Sequence, residues 1–293
     1  AFFTSDTQEN VDFDSYEQLE FQEDLIQIKN TSDIFSLNDK AIQADFDLLT
    51  QGRTSQPIPS GVHAIHKQNI FIEEGATVSY SSLNASKGPI YIGKDSEIME
   101  GCLVRGPFAL GKNSILKMGT KAYGATTLGP HCKVGGEINN SVLFGYSSKG
   151  HEGFLGNSVL GEWCNIGADS NSSNLKNNYA EVKLWNYQEE RFTKTGLQFC
   201  GLMMGDHSKC GINTMFNTGT VVGVSANIFG SGFPRNFIPS FSWGGAAGFT
   251  TYQMKKVIEV SKVVMKRRDL ELSETDISIL QHVFDKTSKF RAK

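Results

Sequence analysis

The sequence lacks the features by which membrane, secreted and nucleic-acid-binding proteins are recognised. No apolar run approaches the roughly 20 residues that cross a bilayer, and residues 1–6 do not contain the basic stretch and apolar core of a signal peptide. The 28 Lys and Arg residues are spread among 31 Asp and Glu residues, so no concentrated basic face exists. We therefore expect neither a membrane nor a nucleic acid as a partner. The chain does not begin with Met, as expected of a processed chain or a fragment.

Cysteine is scarce, and several motifs of catalytic chemistry are missing. The 5 cysteines form no Cys-x-x-Cys pair and cannot all pair with one another, so we expect reduced, mostly buried thiols in a cytoplasmic protein. His63 and His66 lie close together but have no third ligand nearby, so we expect no metal site. The chain contains neither a Gly-x-x-x-x-Gly-Lys-Ser/Thr phosphate loop nor a Gly-x-Ser-x-Gly nucleophile elbow.

Glycine, by contrast, is abundant, with 30 residues that lie mostly between positions 88 and 248. A six-residue repeat accounts for this concentration, because glycine often follows its apolar position. Earlier, Ile72 and Val78 have the same spacing. The apolar positions of the repeat are Ile92, Ile98, Val104, Leu110, Leu116, Ala122, Leu128 and Val134, then Phe154, Leu160 and Ile166, then Met204, Cys210, Phe216, Val222 and Ile228.

A six-residue period is typical of a three-sided solenoid. Neither an amphipathic helix, with its period of 3.6, nor an alternating strand, with its period of 2, maintains it over many repeats. In a triangular coil, each side contributes one short strand and one inward aliphatic residue per hexad, and stacked coils bury a continuous apolar column. The sequence therefore predicts a mainly β fold, a left-handed parallel β-helix. The alternative is a β-sandwich with glycine-rich turns, and the recurrence of the same spacing in separate blocks argues against it.

Residues 1–60 do not carry the hexad. Two short helices are predicted there, at residues 16–29 and 34–49. The segment is too small for an independent catalytic domain, so we interpret it as a helical connector to an upstream domain.

The rest of the chain divides into the β-helix and a C-terminal region. We expect the β-helix over residues 61–249, with an inserted polar loop at residues 171–203 that acts as a lid or contacts a neighbour. Residues 250–293 are expected to be helical. One helix is predicted near residues 251–268, and another should follow a cap at residues 273–276.

His151 is the best candidate for catalysis. It lies where the repeat is interrupted, beside Gly150 and close to Lys149. An imidazole suits a general base at neutral pH, although a single His of this kind is more often structural. His207, which follows Gly205, is expected at an exposed corner, with a functional role less favoured.

A second candidate region begins at Asn165 and Ala168 and continues into the inserted loop. Asn178, Tyr179 and Lys183 have side chains that suit sugar hydroxyls and a phosphate. A polar surface loop without function is the alternative, and the residues alone favour neither.

These motifs, together with their order and spacing, resemble a known family. The resemblance is to the C-terminal half of the bifunctional glucosamine-1-phosphate acetyltransferase / N-acetylglucosamine-1-phosphate uridylyltransferase family, and most closely to a divergent branch of Bacteroidetes-type bacteria described as putative sugar nucleotidyltransferases. It covers roughly residues 33–290 for that branch and about residues 88–228 for the broader family. The motifs are the hexads, Gly106-Pro107-Phe108-Ala109, Lys133-Val134-Gly135, Ser148-Lys149-Gly150-His151, Leu155-Gly156, Asn165-Ile166-Gly167-Ala168, Asn178-Tyr179 and Lys183.

The resemblance implies a role for individual residues. His151 matches the base that deprotonates the substrate amine, and Asn165 matches an Asn near that amine and the acetyl carbonyl. Ala168 matches a backbone position near the thioester of acetyl-CoA, and Phe154 stands where the family has a substrate-contacting Tyr. The residues that match the family's sugar-phosphate-binding residues are Asn178, Tyr179 and Lys183. Lys121 lies near the position of an upstream phosphate-binding Arg of the family.

Two departures concern sugar-phosphate recognition. The family's phosphate-binding Lys before the His segment has no equivalent, since residues 139–141 occupy that stretch, and the loop after Lys183 is longer than in the family. The resemblance implies acetyl transfer from acetyl-CoA to an amino-sugar 1-phosphate, in a homotrimer and without a metal. Mg would be needed only in an upstream nucleotidyltransferase domain.

Two other functions stay open. In the first, the intact protein is a sugar-1-phosphate nucleotidyltransferase, and the β-helix serves as a trimerising or regulatory platform. In the second, the β-helix is purely structural. A purely structural solenoid would have no need of the interruption at His151 or of the polar loop.

Overall fold

The structure is a computed structural model that describes residues 25–291. Most of the helix predicted at residues 16–29 lies outside the described residues, and residues 25–29 are irregular rather than helical. The helix predicted at residues 34–49 is confirmed, with a break at Leu37. The helices are Asp33–Ser36 (α1), Asn38–Thr50 (α2), Met254–Lys266 (α3) and Glu274–Lys286 (α4), and short 3-10 turns are formed by Lys67–Asn69 and Ser288–Phe290.

Most of the described chain consists of short strands joined by tight turns. In chain order the strands are His63–Ile65 (β1), Ile70–Ile72 (β2), Thr77–Val78 (β3), Ser82–Asn84 (β4), Ile90–Ile92 (β5), Glu97–Ile98 (β6), Leu103–Arg105 (β7), Phe108–Leu110 (β8), Ile115–Leu116 (β9), Lys121–Tyr123 (β10), Thr126–Leu128 (β11), Lys133–Val134 (β12), Glu137–Asn139 (β13), Val142–Leu143 (β14), Ser148–Lys149 (β15), Phe154–Gly156 (β16), Val159–Leu160 (β17), Asn165–Ile166 (β18), Asn171–Ser172 (β19), Lys183–Asn186 (β20), Arg191–Lys194 (β21), Met203–Met204 (β22), Lys209–Cys210 (β23), Met215–Phe216 (β24), Val221–Val222 (β25), Asn227–Ile228 (β26), Phe237–Ile238 (β27), Ser242–Gly245 (β28) and Gly248–Thr251 (β29).

Successive strands visit three sheets in turn, so each coil of the chain is a triangle. Face 1 has the order β1-β4-β7-β10-β13-β16-β19-β24, face 2 the order β2-β5-β8-β11-β14-β17-β22-β25-β27, and face 3 the order β3-β6-β9-β12-β15-β18-β23-β26-β28-β29. Pairing is parallel throughout except between β28 and β29, and β20 and β21 form a separate antiparallel hairpin. The predicted parallel β-helix is confirmed, and the alternative of a β-sandwich is wrong. The left-handed sense of the β-helix stays a prediction.

The core is the column of aliphatic side chains inside the triangle. Leu116, for example, is 0% exposed and lies between Ile98 and Val134 of the neighbouring coils. Every hexad position from 92 to 134 points into this column, as predicted. Burial of such side chains provides most of the stability, because each Leu or Ile contributes roughly 1.5–3 kcal/mol when removed from water.

The predicted inward position of Phe154 is wrong. Leu155 points into the column instead, and Phe154 lies on the outer surface of face 1. The phase changes because the inward residues Leu155 and Leu160 are five positions apart and not six. A six-residue count back from Leu160 therefore selects Phe154, the residue before the one that points inward.

Segments of the described chain cover face 2, whereas none of residues 25–291 covers face 1. Phe35 of α1 and Leu184 of β20 pack against the outer side chains of face 2, such as Val159. The turns that join face 2 to face 3 are covered by α3 and α4, through a cluster that includes Trp163 and Phe241. The second of these helices begins as predicted, with a reciprocal cap between residues 273 and 276.

The five cysteines lie within the described residues, and all are buried free thiols. Among the helices of residues 25–291, none has the length and apolar character that a membrane span requires.

Candidate active site

His151 lies at the edge where strands of face 3 turn into strands of face 1, which we call edge 3–1. It follows β15 and precedes β16, and its side chain is exposed. The turn at residues 150–153 has glycine at both ends, and Gly153 has a φ of +116°, a conformation that other residues rarely adopt. An added Cβ there would be 2.1 Å from the carbonyl oxygen of Ser170. The turn therefore packs closely on the next coil while it presents its imidazole to solvent.

The coil before His151 makes an unusually short turn at the same edge. Gly135 and Gly136 provide this turn, and an added Cβ on Gly136 would be 2.9 Å from the carbonyl oxygen of His151. Neither residue has a side chain to cover the neighbouring turn, which leaves the His151 turn unshielded on that side.

Lys149 fills the interior space beneath these two turns. Its side chain is 1% exposed and points into the column, where Nζ donates hydrogen bonds to the carbonyl oxygens of Gly135, at 2.8 Å, and His151, at 2.9 Å. Burial lowers the pKa of Lys149 to about 8, although the carboxylates of Glu152 and Asp169 act in the opposite direction. Sequence reasoning placed Lys149 close to His151 but missed that the Lys149 side chain points into the column. The six-residue spacing of Leu143, Lys149 and Leu155 could have indicated this position.

The shifted pKa of Lys149 makes stability depend on pH. Because this pKa is about 8 in the folded chain and ordinarily 10.5, the unfolded chain binds more protons between these two values. The contribution of Lys149 to stability is therefore lowest below pH 8 and rises towards pH 10.5. The quantity to measure is the free energy of unfolding of the wild type minus that of Lys149→Met, obtained by urea denaturation at a series of pH values. We expect this difference to rise by about 2–3 kcal/mol between pH 8 and pH 10.5. A difference that stays constant with pH would contradict this prediction.

Asn165 and Ala168 lie one coil beyond His151. Asn165 is paired with Ser148 on face 3 and is exposed, and Ala168 occupies the same edge as His151 in the next coil. Neighbouring strands are separated by roughly 5 Å, so His151 and Ala168 are adjacent along the edge. The carbonyl oxygen of Ala168 accepts a hydrogen bond from the amide of Asn213, whereas its N–H has no acceptor among the described residues.

Phe154 and Lys121 lie on face 1, beside the edge. Phe154 is half-buried, and its ring lies over Gly156, since an added Cβ there would be 2.5 Å from Phe154 Cζ. Lys121 is in register with Phe154 through the strand that separates them. Arg105 lies one coil before the Lys121 strand and lines the same shallow cavity of about 470 Å³. Sequence reasoning missed Arg105 because the family's Arg was aligned near residues 121–123.

The structure does not bring Asn178, Tyr179 and Lys183 close to His151 within one chain. The inserted loop leaves the β-helix after β19 and returns at β22, and its hairpin packs on face 2 through Val182 and Leu184. Face 2 is opposite edge 3–1 in the triangle. The side chains of Asn178, Tyr179 and Lys183 are all exposed.

The expected exposure of His207 is wrong. Its ring is largely covered and stacks on Trp163, with centroids 6.2 Å apart, and Nδ1 lies 3.4 Å from the hydroxyl of Ser261 in α3. Burial, aided by the nearby Lys209, lowers the pKa of His207 to about 4. The residue belongs to an aromatic stack beneath the C-terminal helices.

A separate cavity of about 480 Å³ lies between face 2, the inserted loop and the C-terminal region. Its walls are mostly apolar, with Met203, Trp185 and Phe290 among them, and the buried indole N–H of Trp185 has no hydrogen-bond partner among the described residues. Among residues 25–291, no group of three or more His, Cys, Asp or Glu side chains is placed to hold a metal ion.

Comparison with known proteins relates the two parts of the chain to one kind of enzyme. The sugar nucleotidyl transferase family model matches residues 1–54. The chain is 34% identical over 145 residues to the bifunctional sugar-1-phosphate nucleotidylyltransferase/acetyltransferase of Sulfurisphaera tokodaii, covering 49% of this chain and 36% of that protein. It is 31% identical over 87 residues to the bifunctional protein GlmU of Methanocaldococcus jannaschii, covering 30% of this chain and 21% of that protein.

The chain thus spans about a third or less of the length of these curated relatives. Among solved structures, the UDP-N-acetylglucosamine acyltransferase from Campylobacter jejuni aligns over 81% of this chain and 92% of its own, with 12% identity and a TM-score of 0.33. The resemblance inferred from the motifs, to a bifunctional nucleotidylyltransferase/acetyltransferase family, is confirmed by the sequence matches.

Proposed function

We propose that this chain transfers the acetyl group of acetyl-CoA to the amine of an amino-sugar 1-phosphate, as part of nucleotide-sugar and cell-envelope biosynthesis. The observation that carries the proposal is that the exposed imidazole of His151 and the N–H of Ala168, which has no acceptor among the described residues, are adjacent at edge 3–1, with the exposed Asn165 on the adjoining face 3. A base, a polar side chain and a backbone donor are the groups that amine acetylation needs. The relative from Sulfurisphaera tokodaii, whose name gives both a nucleotidylyltransferase and an acetyltransferase activity, supports the same reaction.

The chemistry can be assigned to these groups. The amine nitrogen of the sugar attacks the thioester carbonyl and forms the C–N bond. As it does so, the imidazole of His151 accepts a proton from this amine. The N–H of Ala168 donates to the oxyanion of the tetrahedral intermediate, and Asn165 orients the amine and the carbonyl. When the intermediate collapses, the C–S bond breaks and the thiolate of CoA receives the proton held by His151. Positioning of the two substrates provides much of the rate.

Face 1 is the surface on which the sugar phosphate would lie. Lys121 and Arg105 provide two cations there, which line the same shallow cavity, and a phosphate favours such paired donors. The sequence has no equivalent, at residues 139–141, of the Lys that binds the phosphate in the family. Lys121 and Arg105 would supply the missing positive charge.

A homotrimer completes the proposed site. Face 1 exposes apolar side chains that the described residues of its own chain leave uncovered, among them Ile65 and Leu103, which are 52% and 55% exposed. A neighbouring copy packed near edge 3–1 would bring its inserted loop, with Asn178, Tyr179 and Lys183, towards His151. The acetyl-CoA would then lie along the coils between two copies.

This arrangement predicts the behaviour of Lys183→Ala. Loss of one charge-assisted hydrogen bond to phosphate should raise KM for the sugar phosphate about 10-fold or more, with kcat little changed. Trimers assembled from a mixture of Lys183→Ala and His151→Ala chains should regain activity, because some sites then combine an intact base with an intact loop. Mixed trimers as inactive as the His151→Ala protein would argue against a shared site.

The function itself is tested by thiol release. Purified protein is incubated with acetyl-CoA and a panel of amino-sugar phosphates, and free CoA is measured with a thiol reagent. Release that depends on one amino-sugar 1-phosphate, and not on its N-acetylated form, supports the proposal. A trimeric, folded protein that releases no thiol with any acceptor refutes it.

The second candidate is a sugar-1-phosphate nucleotidyltransferase in which the β-helix is a trimerising platform. The family match over residues 1–54 favours it, and supports assigning residues 1–60 to a connector that belongs to a nucleotidyltransferase-like domain. Such a domain would need Mg, whereas acetyl transfer would not. Under this alternative the thiol-release assay gives no signal, while the β-helix still forms trimers.

A further inference from the structure

Lys149 occupies an interior position for which an apolar side chain would be the ordinary choice. The same column position is Val134 in the preceding coil and Ile166 in the next. In the part of the chain that the structure describes, no carboxylate lies within salt-bridge distance of the amine, whose acceptors are two backbone carbonyl oxygens. Burying an amine without a counter-charge costs stability, and apolar replacements of buried charges are often neutral or stabilising. The core alone therefore gives no reason for a lysine here.

The contacts of the amine lead to the turn that carries His151. Neighbouring coils place a small polar residue inside this edge, such as Thr120 or Ser170, whose hydroxyl bonds to backbone carbonyls and holds the turn. The turns at residues 135–136 and 150–153 have no such residue. Lys149 reaches the same space from the adjacent strand and bonds to both turns at once.

We propose that Lys149 is a positioning residue for His151. By holding the carbonyl oxygen of His151 it fixes a turn that glycine at both ends leaves free to move, and with it the direction of the imidazole. The inference rests on the proposed function, in which His151 is the base. Misplacement of a catalytic group by about 1 Å can reduce a rate on the order of 10²-fold. The hydrogen bonds from the Lys149 amine to the two turns, which we call the anchor, therefore matter more to catalysis than to folding.

The test compares Lys149→Met, which keeps the length of the side chain but cannot donate, with Lys149→Gln, which keeps an N–H donor. We expect kcat of Lys149→Met to fall about 10- to 100-fold while KM for both substrates changes less than about 2-fold. Lys149→Gln should retain an intermediate kcat. A folded Lys149→Met protein whose kcat is within about 2-fold of the wild type overturns the proposal.

Lys209→Met is the matched control. Lys209 is half-buried, whereas Lys149 is fully buried, and its amine likewise donates to the carbonyl oxygen of a histidine, His207, at 2.9 Å. Its side chain lines a small cavity beneath α3 together with Val257, away from edge 3–1. Its replacement should leave kcat unchanged; an equal loss of kcat in both variants would show that general packing, and not the anchor, is responsible.

Hydrogen exchange provides a readout that does not depend on activity. The amides of Glu137 and Asp169 donate to the carbonyl oxygens of Gly153 and Glu152, so their exchange reports on the order of the turn. Faster exchange of these amides in Lys149→Met, with amides at other edges unchanged, supports the anchor, and unchanged exchange overturns it. If the wild type transfers no acetyl group, the proposed function fails, and exchange alone decides whether Lys149 holds the turn.

Discussion

Replacement of His151 by Ala is expected to reduce acetyl transfer by about 10²- to 10⁴-fold, the usual contribution of a general base. The imidazole is exposed at edge 3–1 and makes no hydrogen bond to another side chain of the described residues, so its removal should change stability by no more than about 0.5 kcal/mol. The loss should therefore appear in kcat and not in the urea midpoint. Thiol release under saturating acetyl-CoA measures the first, and urea denaturation the second.

His282→Ala is the control for the His151 experiment. This histidine is exposed on α4, far along the chain from edge 3–1, and its loss should leave turnover unchanged. Unchanged turnover in His151→Ala as well would remove this residue from the mechanism, even if the protein proved to be an acetyltransferase.

Replacement of Leu116 by Ala is expected to destabilise the fold by about 3 kcal/mol, within the range measured for buried leucines. Its side chain is fully buried between those of Ile98 and Val134. Coils stacked above and below it hold the backbone in place, so the cavity cannot close easily. The free energy of unfolding, obtained from urea denaturation, is the quantity to compare with the wild type.

Ile115→Ala separates burial in the column from other effects of strand substitution. Ile115 precedes Leu116 on β9 but points out from face 3 and is half-buried. We expect its replacement to cost about 1 kcal/mol or less. Equal losses for the two variants would contradict a stability that comes from the interior column.

The periodic part of the fold could be predicted from the sequence because each coil repeats the same physical demand. Positions such as Ile98 and Leu128 must be apolar because their side chains point into the interior of the triangular coil. A six-residue count therefore identifies the residues of the column. The prediction failed where a turn changes length. The inward residues Leu155 and Leu160 are five positions apart, so a six-residue count back from Leu160 selected Phe154 in place of Leu155.

Non-local packing explains what else the sequence did not reveal. The loop that carries Lys183 docks on face 2 through Val182 and Leu184, and nothing in the polar composition of the loop indicates that surface. His207 was expected to be exposed because a polar residue follows glycine at a corner, whereas helix α3, distant in sequence, covers it. The edge with His151 could be predicted, but the buried amine beneath it could not be recognised until the phase of the repeat was known.

The location of bound acetyl-CoA tests the central claim most directly. A crystal structure of the protein with CoA and an amino-sugar 1-phosphate should place the sulfur atom at edge 3–1, with the sugar nitrogen within hydrogen-bond distance of the His151 ring, at about 3 Å. CoA bound instead in the cavity beside Trp185, with the His151 ring in contact with neither substrate, would contradict the account.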